Sequence, residues 1–328
     1  MSQAKVDRYK KEKKNRSRDL KLQKVKKALI VFILALAFGA LTGCGSKAES
    51  QTTEAPATEE ATQAEAKADS ASDTDKKITV GATPVPHAEI LDNIVKEVLA
   101  KDGWTLETVV FQDYVLPNTS LEAGEIDANY FQTLGYLDQQ NKDAGLHLSA
   151  VAGIHIEPMG IYSEKYTKLE EIPDGAEIGI PNDPDNGARA LDLLVQKGLL
   201  TSKGAFGEDA SYTEDSLSKD KDANPHGYKI TPLEAASLPL SLPDLDAAAI
   251  NGNYALEADL PAKHPALDIE EFDDETTVKR TNFLVVKDGS QDSEKIKALV
   301  AALKSDEVKS YIEETYKGAV IPSFIDPQ

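Results

Sequence analysis

Strand-like and helix-like segments alternate along the chain from residue 77 to its end, and this alternation constrains the fold more than any other feature. The pattern begins with a short strand at 77–83, a helix with an apolar stripe at 87–101, and a second strand at 104–111. Because such alternation is typical of βαβ units, it predicts an α/β architecture with mostly parallel sheets.

The same alternation continues through the rest of the chain. Thr119 and Glu122 predict a capping box for a helix that Gly124 ends. The further predicted strands are 148–156, 177–180, 228–231, 247–250 and 283–286. The further predicted helices are 133–144, 187–197, 253–258 and 292–315. With 41% apolar residues over 328 positions, the chain can bury a core for one or two domains.

The first 43 residues have the composition of an export signal. They carry 12 basic and 3 acidic side chains and contain a run of 13 apolar residues at 28–40. As a helix this run covers roughly 20 Å, too short to span a bilayer but suited to the centre of a signal peptide. The sequence Leu41-Thr42-Gly43-Cys44 resembles the bacterial lipobox, so we expect residues 1–43 to be removed and Cys44 to be acylated.

The residues that follow this cysteine predict a tether between a lipid anchor and a globular body. Residues 45–76 contain no aromatic residue and no Leu, Ile, Val or Met, so 44–76 is predicted to be a lipidated, disordered, acidic tether and 77–328 the body. Beyond residue 43 the chain has 24 basic and 53 acidic groups, a balance of −29, which excludes nucleic-acid binding by repulsion. The layout predicts a lipid-anchored monomer on the cell membrane, facing outside the cytoplasm.

Polar and aromatic side chains follow four of the predicted strands, at the positions where α/β sheets bind ligands. The four segments are 83–87, 127–133, 182–189 and 251–254. They supply a cation (Arg189), several asparagine amides, three aromatic rings and one imidazole (His87). This set suits a small zwitterion with an apolar tail, because a guanidinium pairs with a carboxylate and rings pack on an apolar chain.

Six stretches of the chain carry a resemblance to a known family. They are GATPVPHAEI (81–90), VVFQDYVLPN (109–118), HIEPMGIYS (155–163), PNDPDNGARAL (181–191), DAAAINGNYALEA (246–258) and SDEVKSYIEETYKGAVIPSF (305–324). In this order they resemble the MetQ/NlpA family, the methionine-binding lipoproteins that deliver substrate to an ABC importer. The resemblance implies a two-lobe periplasmic-binding-protein fold (type II-like) with two crossover connections and an interlobe ligand cleft. It places one lobe at 78–155 plus 281–328 and the other at 156–280.

The resemblance also implies roles for individual residues. Arg189 would hold the ligand carboxylate, and Asn251 would bind the amino or carboxylate end with Asn186 and Asn253 nearby. The side-chain pocket would be formed by His87, Tyr114, Tyr130, Phe131 and Thr133. The implied function is to capture an amino acid, above all L-methionine, and deliver it to an ABC permease with its ATPase. No cofactor is expected and no metal, since the five histidines lack metal-binding spacing.

Three residues depart from the family pattern and keep other ligands open; one is Val85, where the family has glycine. Thr133 stands where the family commonly has histidine, and Gly135 where it commonly has proline. Without the imidazole, the pocket lacks an aromatic ring and a hydrogen-bond donor. If that ring packs on the ligand in the family, its loss costs about 1–2 kcal/mol of binding free energy. A dipeptide such as Gly-Met, or another apolar amino acid, is therefore an alternative ligand for the same fold.

A remote alternative of a different class is a cell-surface hydrolase. It would use His87 as a base and Asp183 to orient it, but the chain has no G-x-S-x-G motif and no nucleophile beside that histidine. The segment 183–187 resembles a calcium loop only weakly, because Ala188 stands where an EF-hand needs glycine. We therefore expect 183–187 to be a solvated turn.

Overall fold

The computed structural model describes residues 76–201, 217 and 220–327. The predicted signal peptide, Cys44 and nearly all of the predicted tether lie outside these residues. Within them, no helix combines the length and the hydropathy that crossing a bilayer would require.

The described residues form eleven strands in two sheets. The strands are β1 (Lys77–Ala82), β2 (Thr105–Val110), β3 (Ala128–Thr133), β4 (Leu148–Ile156), β5 (Gly160–Tyr162), β6 (Glu177–Pro181), β7 (Lys229–Leu233), β8 (Ala247–Ile250), β9 (Asp268–Ile269), β10 (Thr281–Lys287) and β11 (Ile321–Pro322). One sheet has six strands in the order β11-β4-β10-β3-β1-β2, and the other has five in the order β7-β6-β8-β5-β9. We call the part built on the six-stranded sheet lobe 1 and the part built on the five-stranded sheet lobe 2.

Helices connect most of these strands. The α-helices are α1 (Lys96–Lys101), α2 (Leu116–Glu122), α3 (Leu134–Ala144), α4 (Pro184–Gln196), α5 (Leu238–Ser241), α6 (Gly252–Glu257), α7 (Leu260–Lys263), α8 (Asp274–Arg280), α9 (Glu294–Leu303) and α10 (Asp306–Tyr316). Two π-helical turns, Pro84–Ala88 and Leu91–Val95, precede α1, and two 3-10 turns lie at Leu169–Glu171 and Ala235–Ser237. The predicted helix at 87–101 is therefore confirmed in position, with a π-helical first half.

Each sheet is covered by apolar side chains on both faces. In lobe 1, one buried cluster joins β1 to α1, α9 and α10 through residues such as Ile78 and Leu299, and a second joins β10 to α2 and α3 through Phe283 and Leu137. Lobe 2 likewise has two clusters, one on each face of its sheet. Burial on both faces explains the continuous apolar runs of β8 and β10.

The chain crosses between the lobes twice. The first crossover follows β4 and leads through residues 157–159 to β5, and the second joins α8 directly to β10 at Arg280 and Thr281. The two lobes and two crossovers agree with the predicted fold class.

The prediction of mostly parallel sheets is wrong. Parallel pairing holds for β1 with β2 and β3, and for β6 with β7 and β8. In contrast, β10 pairs antiparallel with β3 and β4, β11 with β4, and β5 with β8 and β9. The pairs of β5 and β10 are antiparallel because these two strands enter their sheets from the other lobe, rather than through a βαβ crossover.

The prediction that segment 127–133 follows a strand is also wrong, because residues 128–133 themselves form the buried strand β3. Its sequence lacks the apolar alternation of an ordinary strand, which is why the pattern did not predict it. The polar side chains are buried by pairing with each other: Asn129 and Gln132 both donate to the Oδ1 of Asn118, at 2.8 and 2.6 Å. A network of amides thus replaces the apolar contacts that a strand in this position normally makes.

Two predicted helix starts differ in the structure. Thr119 does not cap α2 but lies inside it, where its hydroxyl donates to the carbonyl of Leu116 at 3.0 Å. The carboxylate of Asp113 accepts the first N–H groups instead, at 2.8 Å. The predicted helix 292–315 is divided into α9 and α10 because Ser305 begins a new helix by accepting from the backbone N–H of Val308.

The segment 183–187 is not a solvated turn but contains the first turn of α4. Asp183 is the N-cap of this helix, and its side chain accepts from the backbone N–H of Asn186 at 2.9 Å. Asn186 and Arg189 are each only 4% exposed. The start of α4 therefore lies in the interior of the protein, against lobe 1.

Replacing Phe283 by Ala should destabilise the body strongly. Phe283 is fully buried in β10, the strand that joins the second crossover to the core of lobe 1, so the substitution leaves a cavity. We expect a loss of about 3–5 kcal/mol in the free energy of unfolding. Urea unfolding of residues 77–328 measures it, with Ile321→Ala, at a 39% exposed position, as the control. Equal effects of the two substitutions would contradict this assignment of the core.

Candidate ligand-binding site

A narrow cavity lies between the two lobes, where strand ends of both sheets meet. Lobe 1 lines it with side chains from β3, from the start of α3 and from the loop after β2, and lobe 2 lines it from α4 and α6. The lining residues are Tyr114, Phe131, Gln132, Thr133, Tyr136, Glu157, Asn186, Arg189, Asn251, Gly252, Asn253 and Asn282. Seven of the nine predicted ligand-binding residues are among them; the other two, His87 and Tyr130, are not.

Aromatic rings form one end of the cavity. The ring centre of Tyr114 lies 5.8 Å from that of Phe131 and 5.6 Å from that of Tyr136, and Phe131 and Tyr136 are 6.0 Å apart. These three side chains come from three different parts of lobe 1 and make an apolar wall. Tyr254 of lobe 2 packs on Tyr114 at 4.9 Å, so the ring cluster also joins the lobes.

Amides of lobe 2 form the opposite, polar end. The Nδ2 of Asn251 donates to the Oδ1 of Asn186 at 2.7 Å, and the hydroxyl of Tyr114 donates to the Oδ1 of Asn253 at 2.6 Å. Within the described part of the chain, the buried Oδ1 of Asn251 and Nδ2 of Asn253 have no hydrogen-bond partner. The cavity therefore offers one unpaired acceptor and one unpaired donor, which is unusual for buried groups and favours a polar ligand there.

Arg189 lies between this polar end and the first crossover. Its Nε and Nη2 donate to the carboxylate of Glu270 at 2.6–3.1 Å, and Nη2 also donates to the carbonyl of Glu157 at 2.9 Å. Burial alone would lower the pKa of Arg189, but the charge and hydrogen bonds of Glu270 raise it above its ordinary value. The guanidinium is thus a permanent, oriented cation at the cavity wall.

A buried cluster of ionisable side chains lies behind the cavity. The Nε2 atoms of His155 and His87 lie 2.6 and 3.2 Å from the Oε1 of Glu157. Their other ring nitrogens contact the hydroxyls of Tyr130 and Thr83 respectively. Glu157 is the member of this cluster that reaches the cavity, and it belongs to the first crossover.

This cluster corrects the predicted roles of His87 and Tyr130. Both side chains are at most 1% exposed and are held by partners inside lobe 1, so neither contacts the cavity. His87 reaches the site only through Glu157 and through Asn282, whose Oδ1 lies 3.2 Å from its Nε2. We therefore assign both residues to the support of the cavity wall.

The hydrolase alternative requires Asp183 to orient His87, and the structure does not bring these two side chains together. The ring of His87 is bound by Thr83, Asn282 and Glu157, whereas Asp183 caps α4 in the other lobe. Burial lowers the pKa of the His87 imidazole from 6.5 to about 4, which makes it a weak base at neutral pH. His87, His155 and Glu157 could offer three atoms to a metal ion, but the 2.6 Å between His155 and Glu157 is a hydrogen-bond distance.

Five lining residues were not predicted from the sequence: Gln132, Tyr136, Glu157, Gly252 and Asn282. Asn282 immediately precedes the apolar run of β10, and it reaches the cavity at the start of a strand because β10 runs antiparallel to its neighbours. Gly252 is required by close packing, because a Cβ atom there would lie 2.8 Å from the Cβ of Glu157. The sequence around Glu157 did not indicate a binding residue, since a glutamate before proline is common in loops.

The two lobes, their two crossovers and the cavity between them are the features of substrate-binding proteins of ABC transporters. A family model described as NlpA lipoprotein matches residues 78–324. The chain therefore belongs to the NlpA lipoprotein family.

Relatives of known name support this assignment. The chain is 38% identical over 251 residues to the methionine-binding lipoprotein MetQ of Bacillus subtilis, covering 75% of this chain and 88% of that protein. A nutrient-binding protein of Burkholderia cenocepacia, solved with methionine bound, superposes with a TM-score of 0.68 at 37% identity over 75% of this chain and all of that one. The substrate-binding protein of a methionine transporter from Streptococcus pneumoniae gives 0.67 at 34% identity, covering 76% and 96%.

The stability of the body should fall as the pH is lowered from about 7 towards 4. Burial lowers the pKa of His87 to about 4 and that of His155 to about 3. Below pH 6.5 the unfolded chain therefore binds protons at these histidines, whereas the folded protein does not. Their stabilisation is fully present above pH 6.5 and is lost towards the folded pKa values, at up to roughly 1.4 kcal/mol per pH unit for each group. Burial also raises the pKa of Glu157, which offsets part of this loss.

Urea unfolding at a series of pH values measures this dependence. His155→Gln removes one of the two groups and should give a lower stability at pH 7 but a flatter decline below it. The control is His147→Gln, because the side chain of His147 is 71% exposed. An unchanged slope in His155→Gln would contradict the assignment of the pH dependence to this cluster.

Proposed function

We propose that this protein is a lipid-anchored receptor that captures L-methionine between its two lobes and delivers it to an ABC permease with its ATPase. The observation that carries the proposal is the division of the cavity into an aromatic end and a polar end with unpaired buried groups. The named relatives bind methionine, which supports the choice of ligand. The proposal assigns binding, and no catalytic step, to the site.

The polar end matches the charges of an amino acid. Arg189 is a cation at the cavity wall and Asn253 presents an unpaired amide donor, so together they suit the α-carboxylate. The unpaired Oδ1 of Asn251 suits the ammonium group, and the carboxylate of Glu157 adds negative charge to the same wall. Each buried polar group that lacks a protein partner would thereby gain one from the ligand.

The aromatic end matches a thioether side chain. Tyr114, Phe131 and Tyr136 form a wall of aromatic rings, and sulfur packs favourably against the edges of aromatic rings. Thr133 replaces the family's histidine at this end. Its hydroxyl donates to Asp185 and accepts from the backbone N–H of Tyr136, so it is already satisfied within the protein. An apolar ligand side chain is therefore not required to pair with it.

The layout around the body supports display at the membrane. We propose that residues 1–43 direct export and that acylated Cys44 and the tether hold the body at the membrane surface. We further propose lobes of 78–155 plus 281–328 and of 156–280, acting as a monomer. The binding step is closure of these lobes, in which the ligand favours the closed arrangement through contacts to both.

Titration calorimetry of L-methionine into residues 77–328, unfolded and refolded beforehand, tests the ligand. We expect one-to-one binding with a Kd below about 10 μM. Arg189→Ala should weaken it at least about 30-fold, because a buried charged hydrogen-bonding partner contributes about 2–5 kcal/mol. Asn141→Ala, which removes an amide of α3 outside the cavity, is the control.

The ligand assignment has clear contrary outcomes. Unchanged affinity in a folded Arg189→Ala protein would exclude the carboxylate role. No heat with methionine, but heat with Gly-Met or another apolar amino acid, would keep the receptor and replace the ligand.

The lipid anchor is tested by expressing the full chain in a bacterium. The intact protein should fractionate with membranes, and mass spectrometry should find an acylated N-terminal Cys44. Cys44→Ser should abolish acylation and cleavage because the serine hydroxyl does not replace the thiol. Unmodified Cys44 in a mature, membrane-bound protein would contradict the anchor.

A further inference from the structure

Asp185 of lobe 2 contacts lobe 1 at the edge of the cavity, although it does not line it. It lies in the first turn of α4, and its Oδ2 accepts a hydrogen bond from the Oγ1 of Thr133 at 3.4 Å. Thr133 is the N-cap of α3 and forms part of the cavity wall. The contact therefore joins the starts of two helices that belong to different lobes.

The approach of Asp185 requires the absence of a side chain at Gly135. A Cβ atom on Gly135 would lie 2.9 Å from the carboxyl carbon of Asp185, closer than real Cβ atoms come to their neighbours. Gly135 has no left-handed φ that would itself require glycine. Since glycine is a poor helix former and this one lies in the first turn of α3, its role here is the space that it leaves for the carboxylate.

Two positively charged features lie beside the carboxylate. The first turn of α3 presents the positive end of the helix dipole, which attracts an anion. On the other side, the guanidinium of Arg280 in the second crossover lies 3.8 Å from the Oδ1 of Asp185. The Asp185 side chain is 17% exposed, so solvent screens these interactions only partly.

We propose that Asp185 and Gly135 form an interlobe latch that sets the affinity of the cavity for its ligand. The latch stabilises the arrangement in which the lobes meet, so the ligand has to supply less of the free energy of closure. Asp185 also accepts the hydrogen bond that the Thr133 hydroxyl donates, so this residue presents no free donor to an apolar ligand side chain. The proposal rests on the proposed function for its ligand, whereas the latch can also be tested without any ligand.

A double-mutant cycle tests the latch through binding. Asp185→Ala, Gly135→Ala and the double variant are made in the full-length chain, purified in detergent and titrated with L-methionine. Each single substitution should weaken binding about 3- to 30-fold, the range for a charge at a helix terminus. The affinity of the double variant should be no lower than that of the single variant that binds less tightly. The reason is that the methyl group added at position 135 meets no carboxylate once Asp185 is removed. The proposal would be overturned if the fold-losses of affinity in the two single variants multiplied in the double variant, or if neither single variant lost affinity.

Two controls separate the latch from general damage. Asp143→Ala removes an exposed carboxylate from the last turn of the same helix, away from the contact, and it should leave affinity within about twofold. Gly135→Ala should not lower the melting temperature, because alanine favours the helix. Weaker binding at unchanged or higher thermal stability is the signature of the latch, and a merely structural glycine would not produce it.

Interlobe distances test the latch without a ligand. The single cysteine lies in the lipobox, so Cys44→Ser combined with Lys142→Cys in lobe 1 and Glu170→Cys in lobe 2 allows two nitroxides on exposed positions. Pulsed electron resonance should show longer distances when Asp185→Ala or Gly135→Ala is added. An unchanged distribution would overturn the latch. If the intact chain does not bind methionine but the distances shift, the proposed ligand fails and the latch stands.

Discussion

The carboxylate of Glu157 is the group on which the arrangement of the two lobes depends. It is buried at the first crossover, where an isolated charge would be costly, and it is stabilised by His155 and His87 from lobe 1. The carbonyl of the same residue accepts from Arg189 of lobe 2, whose own charge is balanced by Glu270. One short segment therefore orients ionisable groups of both lobes, and the cavity forms where they meet.

The cavity divides polar and apolar chemistry between its two ends. Three rings of lobe 1 make the apolar wall, and the amides of lobe 2 make the polar one, so a ligand that contacts both ends also bridges both lobes. The hydrogen bond between Tyr114 and Asn253 already joins the two ends. Specificity and closure are coupled by this division, because either lobe alone provides only half of the contacts.

The sequence predicted much of the fold where local rules apply. The strands at 148–156 and 247–250 are confirmed to the residue, because their apolar runs are bounded by clear polar segments. Strand β3 was missed because its polar side chains are buried by pairing with Asn118, a contact that no periodicity reveals. The antiparallel pairing of β10 with β3 and β4 was missed, although β4 and β10 were predicted as strands, because the direction of β10 depends on the path between lobes.

The candidate site shows the same limit at the level of single residues. The sequence by itself, through residue types at strand ends and the family resemblance, indicated nine ligand-binding residues, and seven of them line the cavity. Only the tertiary structure placed His87 and Tyr130 behind the wall and Glu157 and Asn282 in it. The physical reason is that side-chain type and strand position are local properties, whereas the choice between facing a cavity and supporting it depends on partners far away in the chain.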